Sequence, residues 1–248
     1  MKRIIFLDLD GTLWDRGKIP RSAIRAIRQA QKNGNKVFLN TGRARSEINS
    51  SILQLGLNGY CFSAGTDIEA EGRPIFYHPL KDAQEIEQRI KTLGYRYAME
   101  GSQQSFANSQ NVLLQHLESK PPVTAMRAED YRQIMKIAIH SHRHFDDEIR
   151  AVLPDDLKLT RFGRFGGEIT DARFNKGTAI DTVESYYGDA YLSIACGDSD
   201  NDLPMFLKSD VSVAMGNADP VVKQQVDHVT DPVGKEGLYK AFMQLEII

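Results

Sequence analysis

Two aspartates in Asp8-Leu9-Asp10-Gly11-Thr12 close a short apolar run. Two residues apart at a strand end, both carboxylates can reach the same side of a sheet. Carboxylates this close repel, so one pKa rises unless a cation joins them. Gly11 lets the chain leave the strand sharply. By itself the pattern fits a strand-end turn equally well. A second acid-rich stretch is Gly197-Asp198-Ser199-Asp200-Asn201-Asp202. A calcium loop of the EF-hand type needs Gly at its sixth position and Glu at its twelfth, where this chain has Leu203 and Ser209. Hard carboxylate oxygens suit Mg²⁺ better than a soft metal. The plainer alternative is a loop with an acidic helix cap. Asn40-Thr41-Gly42-Arg43 ends another apolar run, and a hydroxyl with backbone N–H groups there can hold phosphate oxygens. Asn175-Lys176-Gly177 opens a helical pattern. Lys176 could neutralise a phosphate and a nucleophile, although a single lysine is more often a solvated surface charge. All four segments suit one phosphate.

Such residues need a scaffold that brings strand ends together. Arg3–Leu9, Val37–Leu39 and Tyr60–Ser63 read as short buried strands, separated by amphipathic helices that open at Pro20 and near Ile48. Strand and helix alternate with short links, which implies right-handed crossovers and a parallel sheet. In such a sheet ligands bind beyond the C-terminal strand ends. The rhythm breaks after Ser63. A hairpin spans Asp67–Tyr77, and then come helices over Lys81–Leu93, Asn108–Leu117 and His144–Leu153 among alternating strands. The βα rhythm returns after Thr170. The reading is an α/β protein. It has a Rossmann-like parallel-sheet core with helices on both faces (residues 1–79 and 167–248) and an inserted α+β cap domain (residues 80–166).

With 41% hydrophobic and 26% charged residues, the 248-residue chain can bury a core. Lys plus Arg is 31 and Asp plus Glu is 33, so no basic excess points to nucleic acid. No stretch approaches the roughly 18 apolar residues of a membrane span. Cys61 and Cys196 lack metal-site or disulfide spacing and read as buried free thiols in a reducing compartment. A cytoplasmic protein is expected, with no obligatory protein partner indicated.

In this order, Asp8-Leu9-Asp10-Gly11-Thr12-Leu13, Thr41-Gly42-Arg43, Asn175-Lys176-Gly177 and Gly197–Asp202 resemble the four motifs of the haloacid dehalogenase-like superfamily. The resemblance covers essentially the whole chain. The cap between the second and third motifs, with the tail Val213-Ala214-Met215-Gly216-Asn217-Ala218, is similar to the Cof-type subgroup of sugar-phosphate phosphatases. The resemblance implies a Mg²⁺-dependent phosphatase of small phosphomonoesters. Asp8 would be the nucleophile and Asp10 the general acid and base. Asp8, the Asp10 backbone carbonyl and Asp198 would hold Mg²⁺. Thr41, Gly42, Lys176 and Asn201 would hold phosphate oxygens. Asp202 would hold Lys176 or a metal-bound water. Ala64-Gly65 stands where family members often have Asn-Gly, which puts a substrate contact there in doubt, and Asp200 receives no role. A phosphomutase of the same superfamily is the near alternative, and a non-catalytic metabolite sensor the more distant one.

Specificity is expected in the cap. Along Ile134–His140, Met135, Ile137 and Ile139 alternate with Lys136, Ala138 and His140. The apolar set should pack under helices, leaving Lys136 and His140, with Lys158 and Thr160, on a free face expected to look toward the active site. His140, His142 and His144 share a face in an extended chain, but a zinc site would need more than this run.

Overall fold

The computed structural model describes residues 2–15, 17–108, 121–142, 144–163, 165–188 and 191–248. The helix expected at Asn108–Leu117 falls almost wholly outside them. The chain divides into two units: residues 1–42, 49–77 and 175–248, and residues 43–48 with 78–174.

The first unit is built on β1 (Lys2–Leu7), which lies between β2 (Lys36–Asn40) and β11 (Tyr191–Gly197). All three are parallel. β1 alternates its side chains between the two faces of the sheet. Ile4 and Phe6 join Phe38, Ala195, Ile180, Val183 and Met205 in one cluster with α5 (Lys176–Tyr187) and α6 (Leu203–Lys208). Ile5 and Leu7 are just as buried on the opposite face. There α1 (Arg21–Lys32) turns inward its stripe of Ala23, Ala26, Ile27 and Ala30 and packs along α8 (Gly237–Gln244). Each fully buried aliphatic or Phe side chain contributes about 1.5–3 kcal/mol.

The full strand order is β13-β12-β11-β1-β2-β3-β4-β5. β3 spans Gly59–Phe62, β12 Val211–Ala214 and β13 His228–Val229. The six strands from β13 to β3 run parallel as expected, and the expected hairpin makes the whole sheet mixed. β4 (Asp67–Ala70) and β5 (Arg73–Tyr77) add antiparallel at the β3 edge. The turn Glu71-Gly72 reverses the chain too tightly for a crossover, with both residues at positive φ. The helices α2 (Ser50–Leu53) and α7 (Pro220–Lys223) are single turns, shorter than their hydrophobic spacing suggested. Among the described residues no helix is long and apolar enough to cross a membrane.

The second unit holds an antiparallel sheet of order β7-β6-β8-β10-β9. Its strands are β6 (Arg96–Gly101), β7 (Phe106–Ala107), β8 (Ile134–His140), β9 (Leu157–Phe162) and β10 (Gly166–Asp171). β10 pairs with β8 and β9, so the unit runs on to residue 174, past the boundary of 166 read from the sequence. Helices α3 (Ala83–Thr92) and α4 (Asp146–Arg150) cover one face. Ile86, Ile90 and Ile149 meet Tyr97, Met99, Ile137, Ile139 and Ile169 there. Ile134 takes the place in this cluster expected of Met135, because the β6–β8 register shifts between Glu100 and Gly101. One extra residue moves the alternation to the next side chain.

Lys136 therefore points away from the helices, but its ammonium is already occupied. It donates to Glu168 at 2.6 Å on β10 and lies 3.4 Å from Glu100 on β6. Burial works against its charge, and the two glutamates more than offset this and hold its pKa above the ordinary lysine value. Removing one partner of a buried pair strands the other. Lys136→Met is expected to cost about 2–3 kcal/mol and lower the melting midpoint by about 4–12 °C. Thermal unfolding followed by circular dichroism checks this, and an unchanged midpoint contradicts it. His140, half-buried, sits edge-on to Phe162 at 5.4 Å, and burial lowers its pKa against the pull of Glu100. His142 packs in the same way on Phe165 at 5.2 Å.

Candidate active site

The C-terminal ends of β1, β2 and β11 and the first turn of α5 bring the sequence segments, up to Gly42 in the second of them, together within the first unit. Asp8 leaves β1 with its N–H bonded to the Cys196 carbonyl of β11 at 2.9 Å. Its side chain is buried, and its Oδ1 accepts from Lys176 Nζ at 2.5 Å. Lys176 is the first residue of α5. Asn175 caps that helix by accepting from the N–H groups of Gly177 and Thr178. A lysine in a first turn opposes the helix dipole and needs anions nearby. Besides Asp8 it meets Asp202 Oδ1 at 2.6 Å and Asn201 Oδ1 at 3.3 Å. Burial disfavours the ammonium, but Asp202 and Asp8 hold its pKa above the ordinary value.

Asp202 is an organiser. Its Oδ2 accepts from the backbone N–H of Asp198 at 2.8 Å and of Ser199 at 3.0 Å. Gly197 makes that approach possible, since a Cβ there would lie 2.4 Å from the Asp202 Cγ. Gly11 has the same role across the site. It sits at φ +85°, and a Cβ on it would lie 2.2 Å from Asp198 Oδ2. Asp10 is exposed beside them and is close enough to help raise the pKa of Asp198.

Thr41 is buried. Its backbone is fixed by donation to the Cys61 carbonyl and by acceptance from the Ala64 N–H, both at 2.9 Å. Ala64 lies at φ 55°, in the left-handed region where Asn is the better tolerated residue. This is the position at which the sequence departs from the family pattern, and its backbone here supports Thr41. Gly42 faces the Asn201 amide, whose nitrogen would be 3.9 Å from a Cβ on the glycine.

Carboxylate oxygens of Asp8, Asp198 and Asp202 all lie within 4.8 Å of one another. Ionised together, three carboxylates against the one ammonium of Lys176 carry two uncompensated negative charges, which the site resists without a cation. Burial, then the neighbouring Asp202 working against Lys176, pushes Asp8 up to about 8. Burial, then Asp202, pushes Asp198 up to about 6. Asp198 Oδ1 is buried without a hydrogen-bond partner. Residual charge, hard oxygen donors and an orphaned carboxylate oxygen all fit a divalent hard cation such as Mg²⁺. Both oxygens of Asp202 are engaged by Lys176 and backbone N–H groups, so Asp8 and Asp198 are the carboxylates left to hold it. Among the described residues none of His140, His142 and His144 joins a metal-capable group of three. Cys61 and Cys196 are free and buried. Burial pushes the Cys196 thiol up to about 12 and Cys61 upward as well, so neither is a nucleophile near neutral pH.

Two residues of this site have no role in the sequence reading. Asn40 donates to the Lys176 carbonyl at 2.9 Å, joining the end of β2 to the start of α5. Asn217 donates to the Gly11 carbonyl at 2.9 Å and to Asp198 Oδ2 at 3.2 Å. Asn40 ends β2 and Asn217 lies in the loop past β12, and an amide carries no charge pattern to single either out.

Residues 5–242 match the family model of haloacid dehalogenase-like hydrolases. The chain is 26% identical to a phosphoglycolate phosphatase of Methanothermobacter thermautotrophicus, covering 96% of both chains. It is also 26% identical to the 5-amino-6-(5-phospho-D-ribitylamino)uracil phosphatase YcsE of Bacillus subtilis, over 96% of this chain and 94% of that one. A solved phosphatase of the haloalkanoate enzyme superfamily from Bacteroides thetaiotaomicron superposes with a TM-score of 0.86 at 25% identity. That match covers 100% of this chain and 96% of the other.

Proposed function

The chain belongs to the haloacid dehalogenase-like hydrolases, and on that premise we propose that it is a Mg²⁺-dependent phosphatase of small phosphomonoesters, sugar phosphates or related metabolites. The observation that carries this reading is the buried Asp8 carboxylate held 2.5 Å from Lys176, beside the orphaned oxygen of Asp198. The named activities of the relatives, both on small phosphate esters, support it.

In this mechanism an oxygen of Asp8 attacks phosphorus. A bond from that oxygen to phosphorus forms as the ester bond breaks. Asp10 gives its proton to the leaving alkoxide. It then takes a proton from water, whose oxygen attacks the phosphorus, and the bond to Asp8 breaks to release inorganic phosphate. Lys176 holds Asp8 in place and, with Thr41, the Gly42 N–H and the Asn201 amide, binds phosphoryl oxygens. When bound by Asp8, Asp198 and the Asp10 backbone carbonyl, Mg²⁺ supplies positive charge that offsets the repulsion between carboxylate and phosphate.

The test is a panel of sugar phosphates, nucleotides, phosphoglycolate and pyridoxal phosphate, assayed with Mg²⁺. At least one should release inorganic phosphate in step with its consumption. EDTA should silence that turnover and Mg²⁺ restore it. Isomerised substrate without free phosphate would favour a mutase, and full activity in chelator would remove the metal from the account.

A further inference from the structure

Asn217 sits in the loop after β12, exposed at the rim of the site. Its side-chain oxygen accepts from the Val233 N–H at 2.9 Å. With the oxygen so placed, its amide nitrogen must face the other way, toward two acceptors. These are the Gly11 carbonyl at 2.9 Å and Asp198 Oδ2 at 3.2 Å. The loop that carries it is itself tied down. Lys223 Nζ donates to the Gly216 carbonyl at 2.7 Å, the Gly216 N–H reaches Asp231 at 3.2 Å, and the Ala218 N–H reaches Met215 at 2.9 Å. One oxygen of Asp198 is therefore engaged by a fixed donor, and the other, Oδ1, is the buried oxygen without a partner.

We propose that Asn217 is a positioning residue that sets the cation preference of the site, by holding Asp198 Oδ2 so that Asp198 offers an incoming ion a single oxygen. The inference rests on the reading of this cluster as a Mg²⁺ site. Ca²⁺ takes six to eight oxygens and readily uses both oxygens of one carboxylate, whereas Mg²⁺ demands a tight octahedron. A carboxylate limited to one oxygen favours the smaller ion. The second bond of Asn217, to Gly11, keeps the Asp8–Gly11 turn and the Asp198 loop at a fixed spacing, which a larger ion would have to widen.

The experiment measures binding of Mg²⁺ and of Ca²⁺ to the metal-free protein by titration calorimetry, without substrate, for the wild type, Asn217→Ala and Asn217→Asp. Asn217→Asp keeps an oxygen for the Val233 N–H, so the loop stays anchored while the donor to Asp198 is lost. In both variants the affinity for Ca²⁺ relative to Mg²⁺ should rise by about tenfold, equivalent to about 1.4 kcal/mol. An unchanged ratio, or an equal weakening for both ions, would overturn the proposal and leave Asn217 a brace for its loop. A wild type that binds neither ion would overturn the Mg²⁺ reading and this inference with it.

Discussion

Asp8→Asn should lower kcat by roughly ten-thousand-fold or more, as removal of a nucleophile does in other covalent catalysts. The amide has nearly the same shape but cannot attack phosphorus. The fold should survive, because Lys176 keeps its bond to Asp202 at 2.6 Å. Stability without metal should even rise in the variant. Burial raises the Asp8 pKa from 3.8 to about 8, so ionising it costs the folded state increasingly between those values. An Asn carries no such cost, and its advantage in melting midpoint should therefore grow as pH rises toward about 8 in chelator. The measurements are phosphate release, thermal melts at several pH values, and a mass spectrum that excludes deamidation back to Asp. More than a few per cent of wild-type kcat would contradict the assignment.

Lys176→Met should be the most destabilising single change at the site. It leaves the buried carboxylates of Asp8 and Asp202 facing each other with no ammonium between them. Breaking a buried pair in this way costs about 3–5 kcal/mol, or about 6–20 °C in melting midpoint for a chain of this size. Activity should fall with it, since one donor to the phosphoryl oxygens and the clamp on Asp8 are both lost. The double variant Lys176→Met with Asp202→Asn separates these effects. An Asn at 202 can still accept from the Asp198 and Ser199 N–H groups, and its amide nitrogen carries no charge. Stability should recover in the double variant and turnover should not. Recovery of both would mean that Lys176 serves the fold alone.

The core was largely legible in the sequence because its signals are local. Ile4–Leu7 is an unbroken apolar run before Asp8, as a strand covered on both faces must be. Gly11 and Gly197 sit where a side chain would strike Asp198 or Asp202. What escaped depended on long-range pairing. The boundary read at residue 166 cuts β10 away from the second unit, and its place there is set by pairing with its hairpin neighbour β9 and with the more distant β8. The bulge that exchanges Ile134 for Met135 arises from the register with β6. Lys136 reads as an available charge on a free face until Glu100 and Glu168 arrive from neighbouring strands. Arg43–Ile48 follows Gly42 directly in sequence yet belongs to the second unit, a matter of packing with no compositional mark. Asn40 and Asn217 gain meaning only when Lys176 and Asp198 lie beside them.

In the proposed reaction the phosphoryl group passes through Asp8. The direct measurement mixes enzyme with its best substrate and Mg²⁺, quenches in acid within one turnover, digests with pepsin and weighs the peptides. The peptide containing Asp8 should be heavier by one phosphoryl group, and fragmentation should place that group on Asp8. The signal should be absent from Asp8→Asn and should accumulate when hydrolysis of the intermediate is slowed by Asp10→Asn. Phosphate release at full rate with no phosphorylated peptide at any quench time, or a phosphoryl group on another residue, would contradict the account.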